Sequence, residues 1–544
     1  MLINIFIFCL LILNVYCQKP VVLTPLGTVQ GYHKTSHEGR TFSAFEGIPF
    51  AKPPLGNRRF EEPEPVEPWY GTWNATFLSE CAQTFMLHPD QTTGDENCLH
   101  VNVYVPRQTP NPDDNLDVVV HIHGGAFMYR SGHSYSRPDF LMDHEVVFVT
   151  FNYRLGVFGF LSTEDDVVPG NNGLKDQVLA LEWVRDNVAS FGGNPSSVTI
   201  TGLSAGGASV HLHYFSPLSR GLFQRGFSQS GVGLNPFTIQ EEPLMRAKKL
   251  GAAVGCPTRS TRGLVECLKQ RPSKHILSKI GSFFTYGFLP CIPFGPVVEK
   301  GGSRPFLATD PYILLKNGQV YDVPWVVSTT SHEGLFLVNN FIEDLDYVDK
   351  NWEDLAPEFL EFNYTLHPSQ WAPVSKKIKQ FYFGDDHFTK NNVLKLVQMF
   401  SDRFFLADAE TSVRMQAKVA KSPVYYYIFA YPGDNNDNKI VTHGADAKYF
   451  FGPFFEPTPL TPNELKMKDL LLEMVVSLAK NGKAKLGAKE WKPTSYDKLT
   501  YLSVNGVKPE EVELRTTEEL STRGFWQSLD FLEGENLNAV KDEL

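Results

Sequence analysis

The sequence predicts an α/β fold with a large, mostly parallel sheet. Five short runs rich in Val, Ile and aromatic residues have the length of buried strands, and they span 118–122, 146–152, 198–201, 323–329 and 424–430. Between the second and third runs, apolar residues from Leu174 to Val188 recur at helical spacing, and Gly192 and Gly193 end that helix. Strands that alternate with helices are typical of a parallel sheet flanked by helices.

Composition excludes several classes of protein. The 544 residues include 50 Lys or Arg and 61 Asp or Glu, giving a net charge of −11, so the chain lacks the basic excess of a nucleic-acid-binding protein. Hydrophobic residues make up 42% and charged residues 20%, which excludes a mainly disordered, collagen-like or coiled-coil chain. At roughly 150 residues per domain, length alone suggests three or four domains.

The two ends of the chain have the features of targeting signals. Residues 1–17 carry no charge, and the apolar run 5–15 fits a secretory signal peptide but is shorter than the roughly 20 residues of a membrane-spanning helix. The last four residues read Lys-Asp-Glu-Leu, the signal that a KDEL-type retrieval receptor recognises. We therefore predict a signal peptide at 1–17, one domain over 18–540 and a retrieval signal at 541–544. This predicts a protein of the endoplasmic reticulum lumen without a transmembrane anchor.

Cysteine usage agrees with an oxidising compartment. After removal of the signal peptide, five cysteines remain. We expect two local disulfides, Cys81 with Cys98 and Cys256 with Cys267, and a buried free thiol at Cys291.

Two glycosylation sequons also fit that compartment. Asn74 begins Asn-Ala-Thr and Asn363 begins Asn-Tyr-Thr, whereas Asn194 is followed by Pro195 and is excluded. Both sequons are predicted to carry surface glycans.

A candidate nucleophile lies at residues 202–206, which read Gly-Leu-Ser-Ala-Gly. This G-x-S-x-G motif follows the predicted strand 198–201 and opens a predicted helix over 205–214. A strained strand-to-helix turn at that position exposes the serine hydroxyl. The glycines allow the sharp turn, and the helix N-terminus favours nearby negative charge. Ser204 is the predicted nucleophile.

A serine hydroxyl also needs a base and a site for the oxyanion. Residues 123–127, His-Gly-Gly-Ala-Phe, follow a predicted strand, and their small side chains let main-chain N–H groups approach a substrate oxygen; a plain glycine-rich turn is the alternative. His121 and His123 could form a metal pair, but neither an HExxH motif nor a third ligand accompanies them. We therefore predict no metal and no cofactor. Spacing alone does not choose the base among the histidines that follow Ser204, which are His211, His213, His275, His332, His367, His387 and His443.

Several further motifs flank the candidate nucleophile in order. They are Glu-Gly-Ile-Pro-Phe-Ala-Lys-Pro-Pro at 46–54, Glu-Asn-Cys-Leu at 96–99, Phe-Asn-Tyr-Arg-Leu-Gly at 151–156, Gly-Asn-Asn-Gly-Leu-Lys-Asp-Gln at 170–177 and Phe-Gly-Gly-Asn-Pro at 191–195. Together they resemble the type-B carboxylesterase and cholinesterase family of α/β-hydrolases, and the likeness extends from about residue 20 to about residue 535. Because it also has a predicted signal peptide and a predicted retrieval signal, the chain is most similar to microsomal or gut carboxylesterases. The resemblance implies a single-domain α/β-hydrolase fold.

The resemblance also implies the remaining catalytic residues. His443, in Val-Thr-His-Gly-Ala-Asp, is similar to the family's catalytic histidine. Glu333, in Ser-His-Glu-Gly, is similar to its acid, and is preferred over Asp322, Glu343 and Asp344. The order Ser, Glu, His is that of α/β-hydrolases. Ser230 resembles a second serine that supports the triad.

The implied chemistry is ester hydrolysis through an acyl-enzyme. The histidine takes the serine proton as the hydroxyl attacks the ester carbonyl, and then returns it to the leaving alcohol. Carried over by resemblance, the oxyanion donors are the N–H groups of Gly125, Ala126 and Ala205. Two buried ion pairs that fix neighbouring loops are implied as well, Arg59 with Glu96 and Arg154 with Asp176.

Departures from the family pattern narrow the substrate. Leu203 precedes the nucleophile where many relatives have an acidic residue, and the 81–98 loop contains no Trp for a quaternary ammonium group. Phe237 stands at the position of the acyl-pocket aromatic residue. We therefore predict a small hydrophobic ester as the substrate. A lipase, a juvenile-hormone-type esterase and a non-catalytic luminal binding protein remain the alternatives.

Overall fold

The computed structural model describes residues 19–534 and residue 537, apart from 86–87, 135, 435, 437–438, 453–458, 488–489 and 521. The predicted signal peptide and the predicted tetrapeptide at 541–544 lie outside the described residues. No helix in the described part of the chain is both long enough and apolar enough to cross a membrane.

An eleven-stranded sheet runs through nearly the whole described chain. Its order is β16-β15-β14-β13-β12-β11-β9-β10-β8-β4-β3; the seven strands from β15 to β10 are parallel, and the outer strands are antiparallel. The strands are β1 Val21–Thr24, β2 Gly27–Gln30, β3 Tyr32–Thr35, β4 Thr41–Pro49, β5 Thr72–Asn74, β6 Gln83–Phe85, β7 His88–Thr93, β8 His100–Val105, β9 Leu116–Ile122, β10 Val146–Phe151, β11 Gly193–Leu203, β12 Arg225–Gln229, β13 Trp325–Thr330, β14 Val424–Phe429, β15 Leu499–Val504 and β16 Val512–Thr517.

Helices cover both faces of the sheet. The α-helices are Gly156–Phe160, Asn172–Asn187, Ala205–Phe215, Pro243–Ala253, Thr261–Lys269, Ser273–Leu277, Pro311–Lys316, Leu335–Val338, Leu345–Lys350, Trp352–Phe359, Pro368–Phe383, Val393–Ser401, Ala407–Val419, Lys448–Phe451, Pro462–Asn481 and Arg523–Gln527, and a π-helical turn spans Asp402–Leu406. Alternate residues of β9 enter different cores, because successive side chains of a strand point to opposite faces. Val118 and Val120 pack in one core, and Val119 packs in the other. Burial on both faces explains why β9 reads as a continuous apolar run.

All five predicted strands are present, and the predicted fold class is confirmed. The run 198–201 is the C-terminal part of β11, and the run 323–329 becomes β13, which begins only at Trp325, after a proline that has no N–H to donate. The predicted first helix spans Asn172–Asn187, and Gly192 ends the following turn with a φ of 86°.

The predicted disulfide bonds and ion pairs are also present. Disulfides join Cys81 to Cys98 and Cys256 to Cys267, and Cys291 is free and buried, so that burial raises the pKa of its thiol. The two predicted ion pairs form bidentate contacts at the loops beside the sheet edge, Arg59 with Glu96 and Arg154 with Asp176. The second pair is deeply buried, and it ties the loop after β10 to the helix Asn172–Asn187.

Candidate active site

Four segments that carry predicted site residues leave the same edge of the sheet. The carboxyl ends of parallel strands share one edge, and here these are the ends of β9, β11, β13 and β14. Ser204 follows β11 directly, and Gly125 and Ala126 follow β9. Glu333 lies in the turn after β13, and His443 lies in the loop after β14. The topology thus gathers residues separated by hundreds of positions in sequence.

Ser204 occupies a strained turn between β11 and the helix Ala205–Phe215. Its φ and ψ are 61° and −124°, a conformation that residues other than glycine rarely adopt. The turn is held by a hydrogen bond from the Ser204 N–H to the Gln229 carbonyl, 2.7 Å long. The motif glycines are required by close packing, because a Cβ at Gly206 would lie 2.1 Å from the Ile122 carbonyl oxygen. Strain of this kind marks functional positions.

His443 and Glu333 form a hydrogen-bonded pair. The distance from His443 Nδ1 to Glu333 Oε2 is 2.6 Å, and the Glu333 side chain is fully buried. The other carboxylate oxygen accepts hydrogen bonds from the Ser230 hydroxyl at 2.5 Å and from the Thr330 N–H at 2.7 Å. A carboxylate held in this way fixes the imidazole orientation and leaves Nε2 available to accept a proton.

The loop that carries His443 packs against the serine turn. A Cβ at Gly444 would lie 3.3 Å from a methyl group of Leu203, the residue just before Ser204. A β-bridge between His332 and Thr442 joins this loop to the turn that carries Glu333. Within the described residues no hydrogen bond links the Ser204 hydroxyl to His443. In unliganded enzymes such catalytic contacts are often long, and they tighten when substrate binds.

The segment after β9 presents main-chain donors beside Ser204. Gly125 and Ala126 have φ values of 106° and 53°, and their N–H groups donate to no other described residue. A Cβ at Gly124 would lie 3.2 Å from the Cβ of Ser204, so this segment touches the serine turn. Ala205, whose N–H is the third predicted donor, begins the helix after Ser204. These N–H groups can bind an oxygen that becomes negatively charged during reaction.

The two histidines of β9 and its following loop are structural. His121 contacts the Thr201 hydroxyl through Nδ1, and the ring of His123 stacks on Tyr153 at 4.4 Å. Burial lowers the pKa of each to about 3, so both are neutral. No group of three or more His, Cys, Asp and Glu residues in the described chain is arranged to hold a metal ion.

Aromatic rings surround the imidazole of His443. Phe336 and Phe405 lie 4.7 Å and 4.9 Å from it, centroid to centroid, and Phe237 lies 5.5 Å from Phe405. The predicted pocket residue Phe237 is therefore one ring removed from the imidazole. Sequence reasoning missed Phe336 and Phe405, although Phe336 comes only three positions after Glu333.

The other residues considered as the catalytic base or acid form contacts elsewhere in the structure. His211 contacts Gln416, and His213 contacts Gln177 and Ser219; burial lowers the pKa of both histidines to about 3. The remaining acidic candidates bind groups away from the imidazole: Asp322 accepts main-chain N–H groups of Lys421 and Ser422, Glu343 pairs with Lys390, and Asp344 accepts from Tyr286.

The two sequons differ in exposure. Asn74 is exposed at the end of β5, whereas Asn363 is partly buried and Thr365 of its sequon is buried. Asn74 is therefore the more accessible of the two predicted glycosylation sites.

A serine turn after a central parallel strand, followed by an acid and a histidine after later strands, is the arrangement of the α/β-hydrolase class. The chain order Ser204, Glu333, His443 follows that arrangement, and the chain is an α/β-hydrolase.

Comparison with known proteins defines the family. The model of the carboxylesterase family matches residues 18–522. Venom carboxylesterase-6 of Apis mellifera is 40% identical over 532 residues, covering 95% of each chain, and juvenile hormone esterase of Tribolium castaneum is 36% identical, covering 91% of this chain and 87% of its own. The crystal structure of juvenile hormone esterase from Manduca sexta, with OTFP covalently attached, superposes with a TM-score of 0.83 at 28% identity, covering 94% of this chain and 99% of its own. The chain belongs to the carboxylesterase family and is a serine-dependent carboxylic ester hydrolase.

Proposed function

We propose that Ser204 is the nucleophile, His443 the general base and Glu333 the residue that orients the base. Ser204 attacks the ester carbonyl while His443 Nε2 takes its proton, and the same nitrogen returns that proton to the leaving alcohol. Water then attacks the acyl-enzyme by the same route. The observation that carries this assignment is the 2.6 Å contact between His443 and the buried Glu333, at the sheet edge where Ser204 stands on its strained turn.

The proposed oxyanion hole consists of the N–H groups of Gly125, Ala126 and Ala205. It is supported by the two N–H groups of the glycine-rich segment that donate to no described residue and by the contact of Gly124 with Ser204. One donor of this kind typically contributes about 3–4 kcal/mol to the transition state. Ser230 positions Glu333 through its hydroxyl and does not attack substrate.

We propose a small, hydrophobic, uncharged ester as the substrate, with Phe237 in the acyl pocket. The aromatic rings around His443 support an apolar site, and Leu203 leaves no carboxylate beside the nucleophile to attract a cation. A juvenile-hormone-type esterase is the second candidate, because relatives of that name align over most of the chain.

A panel of esters separates these two candidates. We expect kcat/KM for nitrophenyl esters to rise from acetate to a medium-length acyl chain, since each buried methylene adds about 0.8 kcal/mol of transfer free energy. Acetylcholine, matched to an uncharged acetate ester of similar shape, is expected to be the poorer substrate. Faster turnover of acetylcholine would contradict the apolar pocket. A kcat/KM for juvenile hormone far above that of every nitrophenyl ester would favour the second candidate.

We also propose that the enzyme enters the secretory pathway through residues 1–17 and is retained in the endoplasmic reticulum by residues 541–544. The two disulfides support an oxidising compartment. In transfected cells, deletion of residues 541–544 is expected to move most ester hydrolase activity from the cell to the medium. Deletion of an equal length of chain at 535–538 is the control, and equal secretion of both variants would contradict retention by the tetrapeptide.

A further inference from the structure

A cavity lies beside the helical stretch that carries Phe405, one of the two rings next to His443. It encloses about 200 Å³ between the turn that begins at Gly233, the helix Ala407–Val419 and the segment 523–534. None of the proposed triad or oxyanion residues lines it. Phe405 faces the active site, with its ring 4.9 Å from that of His443, whereas Arg403 and Asp408 of the same helical stretch line the cavity. The residues that line the cavity are therefore different from the proposed catalytic residues.

Charged side chains line this cavity with an excess of acid. Five carboxyl groups and three guanidinium groups line it, so acidic side chains outnumber basic ones by two. They are Glu241, Asp310, Glu361, Asp408 and Glu533, with Arg246, Arg403 and Arg523. Such a lining favours a cationic ligand if the arginines are already engaged.

Two of the arginines are committed to protein groups. Arg403 pairs with both carboxylate oxygens of Glu533 at 2.8 Å and also donates to two main-chain carbonyls. Arg246 donates to Gln240 and lies over the ring of Tyr364, 5.4 Å from its centroid. Neither guanidinium group is free to recruit an anion.

The Asp408 carboxyl group is an unpartnered acidic position of this lining. The third guanidinium is less firmly held, since Arg523 Nε lies 3.9 Å from Glu410 and forms no hydrogen bond with a described residue. Asp408 accepts no hydrogen bond and forms no ion pair with any described residue, and burial raises its pKa to about 7. Burial raises the pKa of Glu361 to about 7 as well. Asp408 is also partly exposed, so its carboxyl group is accessible to a ligand donor in the cavity.

We propose that this cavity binds a small organic cation, with a primary ammonium group at Asp408 and an apolar body against Leu234 and Ile239. Both apolar side chains line the cavity and are partly exposed to it. An apolar cavity of about 150 Å³ already admits benzene, so 200 Å³ holds a ring with a short amine. A bare metal ion does not fit, because no three acidic, His or Cys side chains of the described chain are grouped as ligands.

Calorimetric titration of the full chain tests the proposal with three probes of one shape. Phenethylammonium is expected to bind at one site per chain, whereas neutral 2-phenylethanol and anionic phenylacetate bind at least tenfold more weakly. Asp408→Asn, which removes the charge and keeps the shape, is expected to weaken phenethylammonium at least tenfold. Glu333→Gln removes a charge from the active site and is expected to leave the affinity unchanged.

A second variant keeps the test decisive if Asp408→Asn fails to fold by circular dichroism. Ile239→Trp fills the cavity from the opposite wall and is expected to abolish phenethylammonium binding. The proposal is overturned if phenylacetate binds more tightly than phenethylammonium, if no probe binds, or if loss of binding follows Glu333→Gln rather than Asp408→Asn.

Discussion

Replacing Ser204 with alanine is expected to reduce kcat for an activated ester by about 10⁴- to 10⁶-fold. Without the hydroxyl no acyl-enzyme can form, and only oriented binding and the oxyanion donors remain to act on water. The fold should persist, because the hydrogen bond that holds the turn comes from the Ser204 main-chain N–H and not from its hydroxyl. Turnover is measured by stopped-flow with a nitrophenyl ester, and covalent labelling by an organophosphate is followed by mass spectrometry.

Matched controls separate the nucleophile from other serines. Ser282→Ala changes an exposed serine that bonds only a local carbonyl, and both its turnover and its labelling should equal those of the unmodified enzyme. Ser230→Ala removes the hydroxyl that bonds Glu333, and labelling at Ser204 should survive, even if more slowly. Full labelling of Ser204→Ala would place the nucleophile elsewhere and contradict the proposed mechanism.

The sequence predicted five of the eleven strands of the large sheet, because burial on both faces leaves a continuous apolar run in those strands. The strands β9, β10 and β14 are nearly continuous apolar runs, and the structure places them within two residues of the predicted bounds. Strand β12, Arg-Gly-Phe-Ser-Gln, was missed, since only Phe227 among its five residues is strongly apolar. Its polar residues are buried because they bond inside the core, as Ser228 does to the Gly207 carbonyl.

The site shows a second limit of sequence reasoning. Local chemistry identified Ser204, because a strand, a glycine-flanked serine and a helix follow one another in five residues. The proposed base lies 239 positions later, and spacing could not choose it; only the family resemblance singled out His443. The rings of Phe336 and Phe405 and the open carboxyl group of Asp408 left no signal, because their surroundings come from distant segments that meet only in the folded chain.

Replacing Glu333 with glutamine is expected to lower kcat by about 10³- to 10⁴-fold with little change in KM. The substitution keeps the volume of a fully buried side chain, so the cause is chemical. In the proposed mechanism Glu333 accepts from His443 Nδ1, which leaves Nε2 as the basic nitrogen that takes the serine proton. An amide can instead donate its N–H to Nδ1, which favours the tautomer protonated at Nε2, and it carries no charge to stabilise the imidazolium.

Glu343→Gln is the matched control, because it makes the same chemical change at an exposed glutamate that pairs with Lys390, 47 residues further along the chain. An exposed ion pair contributes about 0–1 kcal/mol to stability, so turnover of this variant should stay within about twofold. Organophosphate labelling of Glu333→Gln should slow in parallel with kcat, since both reactions need the serine proton removed. Slow turnover with undiminished labelling would mean that Glu333 acts after acylation, whereas equal loss in both variants would remove Glu333 from its assigned role. The comparison therefore distinguishes an acid that orients the base from one that only fills the core.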